Sequence, residues 1–265
     1  MMLVIRHLVD PVADALAAAL GPGLRSLYIE GWLASCSITH TVGLDGVATR
    51  IEQGDAGVLL DGSTGIVLNR IAYVPTPAFH AARAVDRDYA GVEAMAVFWS
   101  CLEGLCCPVL NSAAALRMAG QAQSALGGAA QAVCAGVNTR TLRMTTRAAL
   151  DDCAGFSPFG GGPSGVAVGA PGLRWLPEDG ERGELWIVGD QVLGALEGVA
   201  TDAVRNLAGR IGLGFGVLGF VRARPGPWLW ASFDALPLDV PAAVIEALVA
   251  FVARHAPATI QGDPT

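Results

Sequence analysis

The chain has 265 residues, 52% hydrophobic and 15% charged, and all 17 of its basic residues are arginine. Without lysine, Schiff-base chemistry, pyridoxal-phosphate chemistry and a Walker-type phosphate loop are excluded, since each needs an amine on a flexible stem. The apolar content excludes a disordered chain, and a net charge of −7 argues against a basic nucleic-acid-binding face.

The first half alternates strands and helices. Leu3–Arg6 reads as a short apolar strand. The stretch from Met1 to Arg6 lacks the basic start and cleavage site of a signal peptide. Asp10-Pro11 supplies an N-cap and a favourable first helical residue for Val12–Leu20, which Gly21 stops. Leu27–Ile29, Val58–Leu60 and Gly65–Ile71 read as strands. Arg87–Leu105 is an amphipathic helix with Ala94, Val97, Phe98, Leu102 and Leu105 on its apolar stripe. Cys107–Leu110 is a strand, and Ala113–Val133 a helical stretch broken at Gly127-Gly128. Alternation of this kind predicts a parallel sheet with helices on its faces.

The middle changes character. Ala154–Gly172, with Phe159-Gly160-Gly161-Gly162-Pro163, is too glycine-rich for a regular element. Leu173–Leu176 and Glu184–Val188 bracket Pro177-Glu178-Asp179-Gly180, a strong turn signal that predicts a β-hairpin. Thr201–Ile211 is a helix, and Gly214–Ala223 and Pro227–Phe233 are strands paired across Arg224-Pro225-Gly226. Pro241–His255 is the closing helix, with Val244, Ile245, Leu248 and Val252 buried, and Ile260–Thr265 is a frayed tail. The fold class is therefore α/β: a parallel α/β domain over residues 1–135, then an α+β half with an antiparallel sheet over 136–265.

The charge-free stretches from Met118 to Thr139 and from Cys153 to Leu173 are interrupted by Gly, Pro and polar residues, so neither reads as a membrane span. The expectation is a soluble, cytoplasmic protein. The six cysteines form no paired CxxC units and the four histidines fit no zinc spacing, so no metal site is assigned. Soluble domains carry about 25% charged residues. A deficit this large predicts an apolar patch that meets another protein or a second copy of the chain.

Several segments together resemble a known family. Asp88-Tyr89-Ala90-Gly91-Val92-Glu93, followed by Cys107-Pro108-Val109-Leu110-Asn111-Ser112, is similar to the end of the N-terminal domain of ATP-grasp ligases. The branch it resembles modifies peptides, as ribosomal-protein glutamate ligases and microviridin-type maturases do. Gly136–Thr146 resembles the segment that follows in that family. Gly183–Asp190 resembles its central strand, Leu207–Phe215 its helix-and-turn, and Trp228–Pro237 its metal-binding strand.

The resemblance implies an ATP-grasp-like fold and a site for ATP and Mg²⁺ that activates a carboxylate as an acyl phosphate. It places the three metal-ligand positions on Gly219, Ser232 and Asp234, of which only Asp234 keeps an anionic oxygen. Both phosphate-holding lysines are absent; Gln121 or Gln123 lies near the place of the first. The chain is short between Leu142 and Leu185, so the lid subdomain is reduced. The cleft candidates are Asp234, Arg222, Glu184, Arg140, Arg143 and Trp186, the last standing where the family has an arginine.

The resemblance leaves three functions open. The first is a degenerate ATP-grasp-like protein without ligase activity, needing no cofactor and binding a partner protein, a peptide or a small molecule. The second is an active carboxylate–amine ligase with an arginine-based site using ATP and Mg²⁺. The third is an ATP-independent small-molecule enzyme using the cleft between the halves.

Overall fold

The computed structural model describes residues 2–31, 36–44, 46–53, 56–60, 65–71, 74–75, 79–112, 115, 125–139, 142–143, 157–159, 172–174, 180–222 and 225–255. The N-terminal half is built on β1 (Met2–Arg6), β2 (Leu24–Tyr28), β6 (Ile66–Asn69) and β7 (Val109–Leu110), all parallel, in the order β2-β1-β6-β7. Strands β1 and β6 are buried along their whole length, as strands covered on both faces must be. Alternate residues serve two cores. Met2, Val4, Ile66 and Leu68 meet Val12, Ala13 and Leu16 of α1 (Pro11–Leu20) and Val244, Leu248, Phe251 and Val252 of α5 (Ala242–His255). Leu3, Ile5 and Val67 meet Ala94, Phe98 and Leu102 of α2 (Ala84–Glu103).

Local chemistry starts α1 where the sequence places it. One carboxylate oxygen of Asp10 accepts the N–H groups of Val12 and Ala13, each at 3.1 Å, and Gly21 ends the helix at φ 51°. In α2, Val97 lies outside the buried stripe at 41% exposure, while Cys101 joins it. At 100° per residue Ala94, Phe98, Cys101 and Leu102 span an arc of about 100°, and Val97 lies about 40° beyond its Cys101 edge, which turns it towards water.

The predicted strand Val58–Leu60 does not enter the parallel sheet. It belongs to an antiparallel meander of β3 (Ser37–Gly43), β4 (Gly46–Gln53) and β5 (Ala56–Leu60). Only two residues separate each strand from the next, and a connection that short joins antiparallel strands alone. His40 anchors this meander to α2: Nδ1 lies 2.9 Å from Thr49 Oγ1, and Nε2 lies 2.9 Å from Ser100 Oγ.

A small antiparallel sheet of β8 (Leu142–Arg143), β9 (Ser157–Phe159) and β10 (Gly172–Arg174) follows, in the order β8-β10-β9. Among the described residues, the short stretch between Leu142 and Leu185 thus holds three brief strands, one of them inside the glycine-rich segment expected to hold none. The expected hairpin between 173–176 and 184–188 does not form. Instead β11 (Glu181–Val188) turns at Gly189 (φ 61°) and Asp190 into β12 (Gln191–Leu193). Its other edge pairs over eight residues with β13 (Phe215–Arg222). Both edges of β11 are thereby taken, as are both edges of β10 by β8 and β9, so these two strands do not pair; residues 175–179 lie outside the described residues.

The larger antiparallel sheet runs β12-β11-β13-β14, with β14 spanning Leu229–Asp234. Its Leu185, Ile187, Leu218, Phe220 and Trp230 pack on α3 (Ala125–Cys134) and α4 (Thr201–Ile211). Helix α3 runs unbroken through Gly127-Gly128. A Cβ on Gly128 would stand 2.7 Å from the Trp230 ring, so this glycine sets a close helix–sheet approach rather than a break. The remaining segments of 113–124, and 260–265, lie outside the described residues. Among the described residues no helix is long and apolar enough to cross a membrane.

The two halves share a core rather than a linker. Trp186, Val188 and Phe215 of the antiparallel sheet pack with Met2, Val4, Leu68 and Leu110 of the parallel one. Asn111, fully buried at φ 62°, stands at the junction.

Candidate functional site

In an antiparallel sheet, residues directly opposite one another project to the same side. The register places Glu184 opposite Gly219, and Gly219 opposite Ser232. One step along the same face, Trp186 stands opposite Val217, and Val217 opposite Asp234. The three metal positions implied by the resemblance, together with Glu184, therefore share one face. A bulge at Ala231, where the register shifts between Gly219 and Phe220, keeps Ser232 in that row.

The face has a covered end and an open end. Trp186 is 9% exposed and sits in the core joining the two halves, so it closes the row rather than projecting from it. Glu184, Ser232 and Asp234 are exposed. Arg182, also exposed, lies two residues before Glu184 and so projects to the same side. Sequence reasoning passed over Arg182, although the spacing of 182, 184 and 186 on one strand is enough to group them.

The donor set for a hard cation is thin. Gly219 has no side chain, and a Cβ there would lie 2.6 Å from Ser232 Oγ. Asp234 accepts the N–H of Leu236 at 2.8 Å, which commits one of its oxygens to the turn after β14. A divalent cation such as Mg²⁺ takes oxygen ligands in near-octahedral array, usually from carboxylates. Among the described residues no group of three or more His, Cys, Asp or Glu side chains could hold a metal ion. The residues at these positions do not fit the Mg²⁺ ions that the resemblance implies.

Arg222 faces the other way. Its Nη2 and Nε donate to Glu181 Oε2 at 2.7 and 3.2 Å, its Nη1 lies 3.6 Å from Glu197, and its guanidinium stacks 4.6 Å from the Trp228 ring centroid. The hydrogen bonds that it donates to Glu181 raise its pKa. Strand parity sets Arg222 on the helix-covered side, so the structure does not bring it to Glu184 and Asp234. Arg143 lies on β8 in the small sheet. Arg140, Gln121, Gln123 and the 160–165 segment lie outside the described residues. Just before Arg140, Asn138 and Thr139 run parallel to β14: the Trp230 N–H donates to the Asn138 carbonyl at 2.8 Å. This brings the chain along the sheet edge and into the small sheet.

No protein-family model and no curated protein matches the sequence. Solved structures do match the fold. A RiPP-associated ATP-grasp ligase of Chryseobacterium gregarium, solved with ADP and a leader and core peptide, aligns over 97% of each chain at a TM-score of 0.70 and 12% identity. The macrocyclase MdnC of Microcystis aeruginosa, bound with its precursor peptide MdnA, covers 96% of this chain and 98% of its own at 0.71 and 12%. A RimK-domain ATP-grasp protein of Sphaerobacter thermophilus covers 96% and 100% at 0.57 and 13%. The chain has the ATP-grasp fold, as the sequence resemblance implied.

Proposed function

We propose that this chain uses the ATP-grasp fold to bind a peptide or partner protein in a peptide- or cofactor-modifying pathway, and that it forms no acyl phosphate itself. One observation carries the reading: the Gly219–Ser232 pair lies on the open face with no carboxylate at either position. Charge neutralisation at transferring phosphate is commonly the largest catalytic term, and this face supplies little of it. The peptide complexes of the two structural neighbours support a peptide as occupant, because their overall architecture is shared.

Isothermal titration of the full chain with Mg–ATP is the test, and no binding is the expected result. Saturable micromolar binding that Asp234→Ala abolishes overturns the proposal in favour of an active ligase. That second reading has one observation behind it: Arg182 stands on the open face beside Glu184, so a cationic group is present where phosphate charge would need one.

A further inference from the structure

Helix α2 is apolar on two opposite sides. Its inner side, with Ala94, Phe98, Cys101 and Leu102, is buried. On the outer side Val85, Tyr89 and Val92 are 68%, 68% and 66% exposed, and Ala96 is exposed beyond them. Steps of four, three and four residues keep these side chains within one stripe of about 60° at 100° per residue. A helix on a globular surface normally turns polar residues to water, so an uncovered stripe of this kind marks a contact surface.

The margins of the stripe say what fits it. At the same angular step Asp88 lies on one side, and Glu93 and Asp86 lie on the other, all exposed. Asp86 is paired with Arg83 at 2.7 Å, whereas no ion pair among the described residues engages Asp88 or Glu93. The stripe therefore has an apolar centre and acidic edges. A second copy is a poor occupant. Antiparallel superposition of the stripe on itself sets Tyr89 against Val92, and it keeps each margin on its own side, so that Asp88 meets the copy's Asp88 margin and Glu93 the copy's Glu93 margin. Like charges so placed repel, and the chain's net charge of −7 adds to the penalty.

We propose that the outer face of α2 is a docking site for an amphipathic helix of a partner protein, one whose apolar stripe is bordered by Lys or Arg. Apolar side chains from that helix cover Val85, Tyr89, Val92 and Ala96, and its cations meet Asp88 and Glu93. The site stands apart from the open sheet face, so it goes beyond the function proposed above and does not depend on whether nucleotide binds.

The test is fluorescence anisotropy of the full chain with a labelled amphipathic Leu/Lys peptide of about 18 residues, long enough to form a helix on the surface. A Leu/Glu peptide of the same pattern is the comparison. The Leu/Lys peptide should bind saturably, and the Tyr89→Ser/Val92→Ser double variant should weaken it by about tenfold or more. Asp88→Arg/Glu93→Arg should weaken the Leu/Lys peptide and confer binding of the Leu/Glu one. These positions are exposed, and circular dichroism checks that each variant keeps its fold. No binding of the Leu/Lys peptide, or binding that both double variants leave unchanged, overturns the proposal. Sedimentation velocity supplies a further arm: a wild-type dimer that Tyr89→Ser/Val92→Ser dissociates would make the stripe a self-interface and overturn it equally.

Discussion

The carboxamide oxygen of Asn111 accepts the backbone N–H of Phe215 at 2.9 Å, tying the end of the parallel sheet to the first residue of β13. The same oxygen accepts the Gly214 N–H at 3.2 Å, and Nδ2 donates to the Ala235 carbonyl at 2.7 Å. One side chain thus satisfies three backbone groups that belong to the other half of the molecule. Its φ of 62° is a conformation asparagine tolerates better than most residues.

Asn111→Ala should therefore be costly. It strips partners from three backbone groups at about 1 kcal/mol each and strains an alanine at positive φ. We expect a loss of about 3 kcal/mol, which lowers Tm by about 6–12 °C in a chain of this size. Asn111→Gly removes the same hydrogen bonds without the strain and should recover about 1 kcal/mol. Thermal unfolding followed by circular dichroism checks both, and equal losses in the two variants would refute the part assigned to φ.

The Arg70–Asp10 pair is the buried electrostatic joint. Nε of Arg70 lies 2.8 Å from Asp10 Oδ2, Nη2 donates to the Pro237 carbonyl at 3.0 Å, and the side chains are 1% and 4% exposed. Breaking such a pair from one side leaves the partner charge uncompensated, at a cost of about 3–5 kcal/mol. Arg70→Leu should destabilise by that order. Arg70→Leu/Asp10→Asn should be milder than Arg70→Leu alone, since the asparagine oxygen still caps α1 and no bare carboxylate remains buried. Urea denaturation of the double-mutant cycle measures the coupling, and strict additivity would contradict it.

Glu30 gives the pH dependence. Burial raises the pKa of its carboxyl, but hydrogen bonds from its own backbone, from His7 at 2.9 Å and from the Leu8 N–H at 3.1 Å outweigh burial and hold it below its usual value. A carboxylate whose pKa is depressed by folding contributes stability above its unfolded pKa, and that contribution is lost as pH falls through the folded value. The urea midpoint of the wild type should fall between about pH 5 and pH 3, the range around and below an ordinary glutamate pKa. Glu30→Gln should show a shallower fall over the same range. Parallel curves for the two proteins would remove Glu30 as the cause.

What was legible in the sequence was mostly local. Asp10-Pro11 and Gly21 bound α1 through contacts within a few residues, and Thr201–Ile211 is helical over the whole predicted range. The β13–β14 pairing follows from two apolar runs close in sequence. Strand parity alone separates Arg222 from Gly219, three residues apart, and also groups Arg182 with Glu184. The burial of Trp186 was not legible, because it depends on Met2, Leu68 and Leu110 from the other half. The approach of Gly128 to Trp230 is equally non-local: from sequence a Gly-Gly pair reads as a helix breaker, and only the facing indole shows what it is for. The meander around His40 was missed although β3 and β4 carry the β-branched residues Ile38, Thr39, Thr41, Val42, Val47, Thr49 and Ile51, a strand signal that could have found them.

Restoring carboxylates tests whether their loss is what keeps a cation off the open face. Gly219→Asp alone must displace the Ser232 hydroxyl, 2.6 Å from the new Cβ, and it sets a carboxylate opposite Glu184. It should destabilise by about 1–2 kcal/mol in the absence of metal. Gly219→Asp/Ser232→Glu still requires the γ atom of residue 232 to swing away from the new Cβ, but with Asp234 and Glu184 it gathers four carboxylates on one face. Their mutual repulsion is relieved by a divalent ion. The double variant should therefore gain Tm on addition of Mg²⁺ or Mn²⁺ through binding linkage, while the wild type should not. An equal rise in the wild type would mean that Asp234 and Glu184 already suffice for the ion, and the case against ligase activity would fail with it.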